Sequence, residues 1–168
     1  MPNLREQLQC CLEGRVCLMG IGNVDYGDDG FGVRLAEKLI EAGTPDVVVG
    51  GTSPDRCLGR VVEEGFNHLV FLDAVECGGT PGSVVLLNTE EIVARFPQVS
   101  THNISLGLLA KWSEANGNTR VWLLGVQPES LKRAGSLAPS VQTTLDALGE
   151  LLCSLETAAT HCAAETES

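Results

Sequence analysis

Three short stretches of this chain hold side chains equipped for polar chemistry. They are Asp28-Asp29-Gly30, Asp73 near the end of the apolar run His68–Ala74, and His102 within Ser100-Thr101-His102-Asn103. Asp29, Asp73 and His102 together make an O,O,N donor set. Such a set suits a borderline divalent ion such as nickel or zinc, with positions left open for another ligand. The two carboxylates could instead share a proton and activate water without a permanent metal. Spacing does not separate these readings. Each residue taken singly also has a plainer use. Asp28 or Asp29 can cap the helix that follows, Asp73 can accept from loop amides, and a lone histidine is most often a capping or surface residue. His68 and His161 have no acidic partner in a recognisable setting and are read as structural.

The elements that must position these residues alternate between strand and helix. Arg15–Ile21 is a short apolar run closed by Gly22 and Asn23, a buried first strand, and Phe31–Ala42 takes up helical spacing that ends at Gly43. Asp46–Val49 reads as a second strand, followed by the turn-rich Gly50-Gly51-Thr52-Ser53-Pro54-Asp55 and a short helix around Cys57–Glu64. His68–Ala74, Ser83–Asn88 and Arg120–Val126 are the third, fourth and fifth strands. Between the last two, Ile104–Ala115 is helical, with Leu106, Leu109 and either Trp112 or Leu108 on one side. Pro139 opens a final helix to about Ala159, a first-turn position proline tolerates. Strands this apolar, separated by helices, predict a single three-layer α/β domain: a mainly parallel five-stranded sheet with helices on both faces. In such sheets sites form where loops leave the carboxyl ends of strands, which is where Asp29, Asp73 and His102 fall. The domain spans residues 1–168, with residues 1–14 an N-terminal extension and a tail from about residue 161 expected to be loose.

Gly20-Ile21-Gly22-Asn23 is half of a dinucleotide fingerprint, but position 25 is Asp where the third glycine would stand. A phosphate there would also face Asp25, Asp28 and Asp29, so nucleotide binding is disfavoured. Against 22 acidic residues stand 11 basic ones, a net charge of −11 that lacks the cationic footprint of a nucleic-acid binder. No apolar run is long enough to cross a bilayer and the N-terminus has no signal-peptide pattern, so a cytoplasmic location is expected. The seven cysteines are irregularly spaced with no C-x-x-C pair, and are read mostly as reduced thiols. Neither G-x-S-x-G nor H-E-x-x-H occurs, which argues against a serine hydrolase or a zincin.

Four blocks in order carry a family resemblance. GIGNVDYGDDGFGVRLAEKL resembles the N-terminal signature of the hydrogenase maturation endopeptidases, and HLVFLDAVECGGTPG is similar to their second block. STHNISLGLLA looks like their histidine block, and LLGVQPESL followed by LAPSVQ matches the C-terminal one. The likeness runs from about Val16 to about Leu151. It implies a cytoplasmic peptidase that removes a short C-terminal extension from the large-subunit precursor of a nickel–iron hydrogenase after nickel insertion. Carried over by motif, the metal-contacting and catalytic residues are Asp29, where some relatives have Glu, together with Asp73 and His102. The nickel would come with the precursor, although another divalent ion can occupy such a site in the isolated protein. Gly50-Gly51-Thr52 corresponds to a substrate-facing loop, while Glu76 is an alternative metal contact and Asp25 stands where many relatives are apolar. The expected partner is that precursor, with no nucleic acid or membrane, and the chain is expected to act as a monomer. The competing reading is a non-catalytic maturation chaperone that binds the precursor or nickel.

Overall fold

Strand β1 (Val16–Ile21) sends alternate side chains to opposite faces, and both faces are buried. A computed structural model describes residues 1–97 and 104–166, with side chains through residue 156. On one face Val16 and Leu18 join Val70 and Leu72 of β3 (His68–Ala74) and Leu124 of β5 (Arg120–Val126). This surface packs under α1 (Leu4–Cys11), α2 (Phe31–Glu41) and α6 (Pro139–Thr166) through Leu8, Phe31, Leu35, Leu39, Leu145 and Leu148. On the other face Cys17, Met19, Leu69, Phe71 and Leu123 meet Leu58 and Val61 of α3 (Asp55–Glu63), Ile92 of α4 (Thr89–Arg95) and Leu109 of α5 (Leu106–Asn116). Period-two burial on both faces is what a helix-covered sheet requires.

The sheet has the order β2-β1-β3-β5-β4, with β2 (Val47–Gly51) at one edge and β4 (Val84–Asn88) at the other. The pairs β1/β2, β1/β3 and β3/β5 are parallel, and β4 runs antiparallel to β5. The three-layer, mainly parallel domain read from the pattern is therefore the fold observed.

Several boundaries differ from the expectation. Strand β2 continues through Gly50 and Gly51, which the pattern assigns to a turn. Helix α4 is an addition to the expected elements. It begins with a reciprocal capping box in which Asn88 Oδ1 accepts from the Glu91 N–H and Glu91 Oε2 accepts from the Asn88 N–H. Helix α6 continues to Thr166, past the predicted end near Ala159. On α5, Leu106 and Leu109 are buried, but Leu108 and Trp112 are 61% and 43% exposed, so neither belongs to its core stripe.

Candidate active site

Strand order creates the crevice. The chain leaves β1 for β2 on one side and returns to β3 on the other, so the loops leaving the adjacent strands β1 and β3 diverge. Such a switch point is where open α/β sheets build their sites. Asp73 is the penultimate residue of β3, and Asp29 lies in a 3₁₀ turn, Gly27–Gly30, joining β1 to α2. Both are buried, Asp29 at 6% exposure and Asp73 at 2%. Asp29 Oδ2 accepts the Asn23 N–H at 3.0 Å, and Asp73 Oδ1 accepts the Ala74 N–H at 2.8 Å. Loss of solvent pushes the Asp73 carboxyl well above the usual carboxylate value of 3.8. The charge of Asp29 adds to that rise, while the Ala74 hydrogen bond opposes it. Two carboxylates thus share one dry place and repel each other there, an arrangement suited to sharing a proton or to taking up a cation.

The glycines explain how the site is reached. A Cβ on Gly32 would stand 1.9 Å from the Leu72 carbonyl oxygen and 2.5 Å from that of Ile21, and a Cβ on Gly20 would stand 2.4 Å from the Gly32 carbonyl oxygen. Helix α2 therefore starts pressed against the ends of β1 and β3, directly beside Asp73. Gly22, at φ 139°, turns the chain where a side chain would strike the Asp29 carbonyl oxygen. The partial dinucleotide fingerprint is a close-packing device for the Asp29 turn.

Neither member of the acidic pair caps α2, since Gly30 occupies its N-cap without a side-chain bond. Asp28, 1% exposed, turns to distant main chain instead. Its Oδ2 accepts from the N–H groups of Glu129 (2.8 Å) and Ser130 (3.1 Å), and its Oδ1 from that of Ala138 (2.7 Å).

Gln127, buried at the end of β5, is a polar residue the sequence pattern does not single out. Its Oε1 accepts from the N–H groups of Cys77 (2.8 Å) and Gly78 (3.0 Å), and its Nε2 donates to Glu76 Oε2 (2.8 Å). Glu76, considered above as an alternative metal contact, is an exposed residue engaged by that amide. A polar residue ending the apolar run RVWLLGV is the available signal for Gln127.

Of the three residues singled out, Asp29 and Asp73 come together, and His102 lies outside the described residues. Among the described residues no group of three His, Cys, Asp or Glu side chains is placed to hold a metal ion. Gly51 adjoins the Asp29 loop, its carbonyl accepting the Gly22 N–H at 3.0 Å, while Thr52 and the Asp25 side chain are exposed. No helix among the described residues is long and apolar enough to cross a membrane.

Residues 33–155 match the family model HycI, hydrogenase maturation protease. The chain is 31% identical over 150 residues to the hydrogenase 2 maturation protease of Escherichia coli (strain K12), an alignment covering 84% of this chain and 90% of that protein. It is 32% identical over 142 residues to the hydrogenase 3 maturation protease of the same organism, covering 83% and 87% of the two chains. Among solved structures it superposes on a NiFe hydrogenase maturation protease HycI from Thermococcus kodakarensis KOD1 with a TM-score of 0.79 at 29% identity, covering 90% of this chain and 99% of that one. The hydrogenase maturating endopeptidase HybD from E. coli superposes with a TM-score of 0.68 at 28% identity, covering 86% and 93%. With the family match spanning residues 33–155 and the fold shared over 90% of the chain, the chain belongs to the hydrogenase maturation protease family.

Proposed function

We propose that this chain is an endopeptidase that cleaves the C-terminal extension from the large-subunit precursor of a nickel–iron hydrogenase, and that it recognises the nickel carried by that precursor through Asp29, Asp73 and His102. The observation that carries the proposal is the burial of both Asp29 and Asp73 at the β1/β3 crevice, close enough that the charge of Asp29 acts on the Asp73 carboxyl. Two carboxylates held together out of water are unfavourable as a dianion, and a divalent ion brought against them reverses that penalty. A precursor carrying nickel would thereby gain binding energy that an empty precursor lacks, which makes metal insertion the condition for cleavage.

Membership in a family of named maturation proteases supports the peptidase assignment. The donor set supports the metal-sensing role, since two carboxylates and an imidazole leave coordination positions open for the precursor's own ligands. In the hydrolytic step Asp73, whose carboxyl is pushed up by burial and by the charge of Asp29, would in its ionised form take a proton from the attacking water. The nickel would supply charge stabilisation at the scissile carbonyl.

The test is to incubate the protein with nickel-loaded and with nickel-free precursor and to weigh the products by mass spectrometry. Loss of one C-terminal peptide from the loaded precursor alone is the expected result. Equal cleavage of both forms contradicts nickel recognition. Tight binding with no cleavage of either form contradicts the peptidase and favours the maturation chaperone.

A further inference from the structure

Asp28 is a buried carboxylate that the mechanism above does not use. All its described hydrogen bonds go to main-chain N–H groups of the segment 127–138, which joins β5 to α6. Glu129 and Ser130 donate to one oxygen and Ala138 to the other. The same segment is tied to the Asp29 loop at further points. The Asp28 N–H donates to the Ser130 carbonyl, the Gly27 N–H donates to the Ala134 carbonyl, and the Ala134 N–H donates to the Asp25 carbonyl, at 3.2, 2.9 and 3.0 Å. From the first turns of α2, Arg34 Nη2 reaches the Gly135 carbonyl at 2.8 Å. At its other end the segment begins with Gln127, whose amide fastens the main chain at Cys77 and Gly78, just beyond Asp73. One loop therefore braces the stretches that carry both catalytic aspartates.

We infer that Asp28 is a positioning residue for peptide cleavage: its carboxylate locks segment 127–138 onto the 3₁₀ turn and so holds the neighbouring Asp29 at the β1/β3 crevice. The inference rests on the reading of Asp29 and Asp73 as the working pair. Asparagine at position 28 keeps the size but has one acceptor oxygen, and it turns an N–H₂ group toward a main-chain donor. The clamp on the Asp29 turn is then lost on at least one side. Misplacing a catalytic group by about 1 Å lowers turnover by roughly 100-fold, whereas contacts that bind the precursor elsewhere are untouched.

The experiment compares wild type, Asp28→Asn, Asp29→Asn and Asp73→Asn on nickel-loaded precursor. It reads kcat and KM separately at a temperature where far-UV circular dichroism shows each variant folded. Amide hydrogen exchange is followed in parallel. The expected result for Asp28→Asn is a kcat reduced about 10- to 100-fold at nearly unchanged KM. Exchange should rise in residues 24–30 and 127–138 while β1, β3 and β5 stay protected. An Asp28→Asn protein with wild-type kcat, beside inactive Asp29→Asn and Asp73→Asn proteins, overturns the positioning role and leaves the working pair standing. Active Asp29→Asn and Asp73→Asn proteins overturn the working pair itself. Should Asp28→Asn not fold, Arg34→Met, which removes the bond to Gly135 from a half-buried position on α2, is read the same way. A severalfold lower kcat at unchanged KM supports the clamp, and an unchanged kcat contradicts it.

Discussion

At the scale of single residues, the chain buries two carboxylates, Asp29 and Asp73, beside the β1/β3 crevice, and burial of Asp73 has a cost that depends on pH. The folded state holds a proton on Asp73 more tightly than the unfolded chain does, because of burial first and Asp29 second. Stability is then lost as pH rises from about 3.8 through the raised folded value, and the penalty is fully present above it. Asp73→Asn keeps an oxygen for the Ala74 N–H and removes the charge. It is expected to raise Tm by several degrees at neutral pH, with the gain vanishing below about pH 4, where wild-type Asp73 is neutral in both states. Calorimetry of both proteins across pH checks this, and a lower Tm for the variant at pH 7 contradicts it. His68, at the opposite end of the same strand β3, shows the reverse sign. Loss of solvent and the nearby Arg120 charge lower its pKa below 6.5, against a weaker pull from Glu13. Its Nδ1 accepts the Trp122 indole N–H at 3.2 Å, a bond that needs the neutral ring. Stability from this group is present above about pH 6.5 and is lost as pH falls through the folded value. Replacing His68 by Gln is expected to flatten stability between pH 7 and 5, as read from urea midpoints.

At the scale of elements, two glycine substitutions with opposite outcomes test the packing account. Gly32→Ala drives a methyl into the carbonyls of Leu72 and Ile21, both main chain that cannot swing aside. It is expected to cost about 3 kcal/mol or more, or to prevent folding. Gly59 lies inside α3 with nothing within 4 Å of an added Cβ, so Gly59→Ala is expected to stabilise by about 0.5–1 kcal/mol. Denaturant midpoints at constant m distinguish the two. The central strands are legible because VCLMGI, HLVFLDA and RVWLLGV are apolar at nearly every position, as burial on both faces requires. Strand direction is not legible: nothing in SVVLLN marks β4 as antiparallel, since pairing direction depends on a partner distant in sequence. Helix α4 leaves a signal in Asn88 and Glu91, but its short apolar content is indistinguishable from a loop until the capping box is recognised. Leu108 and Trp112 fit helical spacing as well as their buried neighbours do, and the choice of face is made by the sheet beneath α5.

At the scale of the whole molecule, the site is a product of strand order. Asp29 and Asp73 are far apart in sequence and meet because β1 and β3 are neighbours whose loops diverge. Asp73 at the end of β3 and Asp29 in the turn before α2 are legible in the sequence as candidates, and their meeting depends on the sheet. The roles of Asp28 and Gln127 are not readable there, because their partners lie 101–110 and 49–51 residues away and no local pattern announces such bonds. The acidic pair illustrates the limit well: of two adjacent aspartates, one accepts from main chain more than a hundred residues away and the other from Asn23 six residues before it. If the buried pair performs the cleavage, removing the Asp73 charge stops peptide release without abolishing precursor binding. Asp73→Asn, verified as folded, is mixed with nickel-loaded precursor, and both complex formation and release of the C-terminal peptide are followed. Peptide release is expected to fall by at least about 100-fold while a complex with the precursor still forms. Peptide release at the wild-type rate by the Asp73→Asn protein would contradict cleavage by the pair.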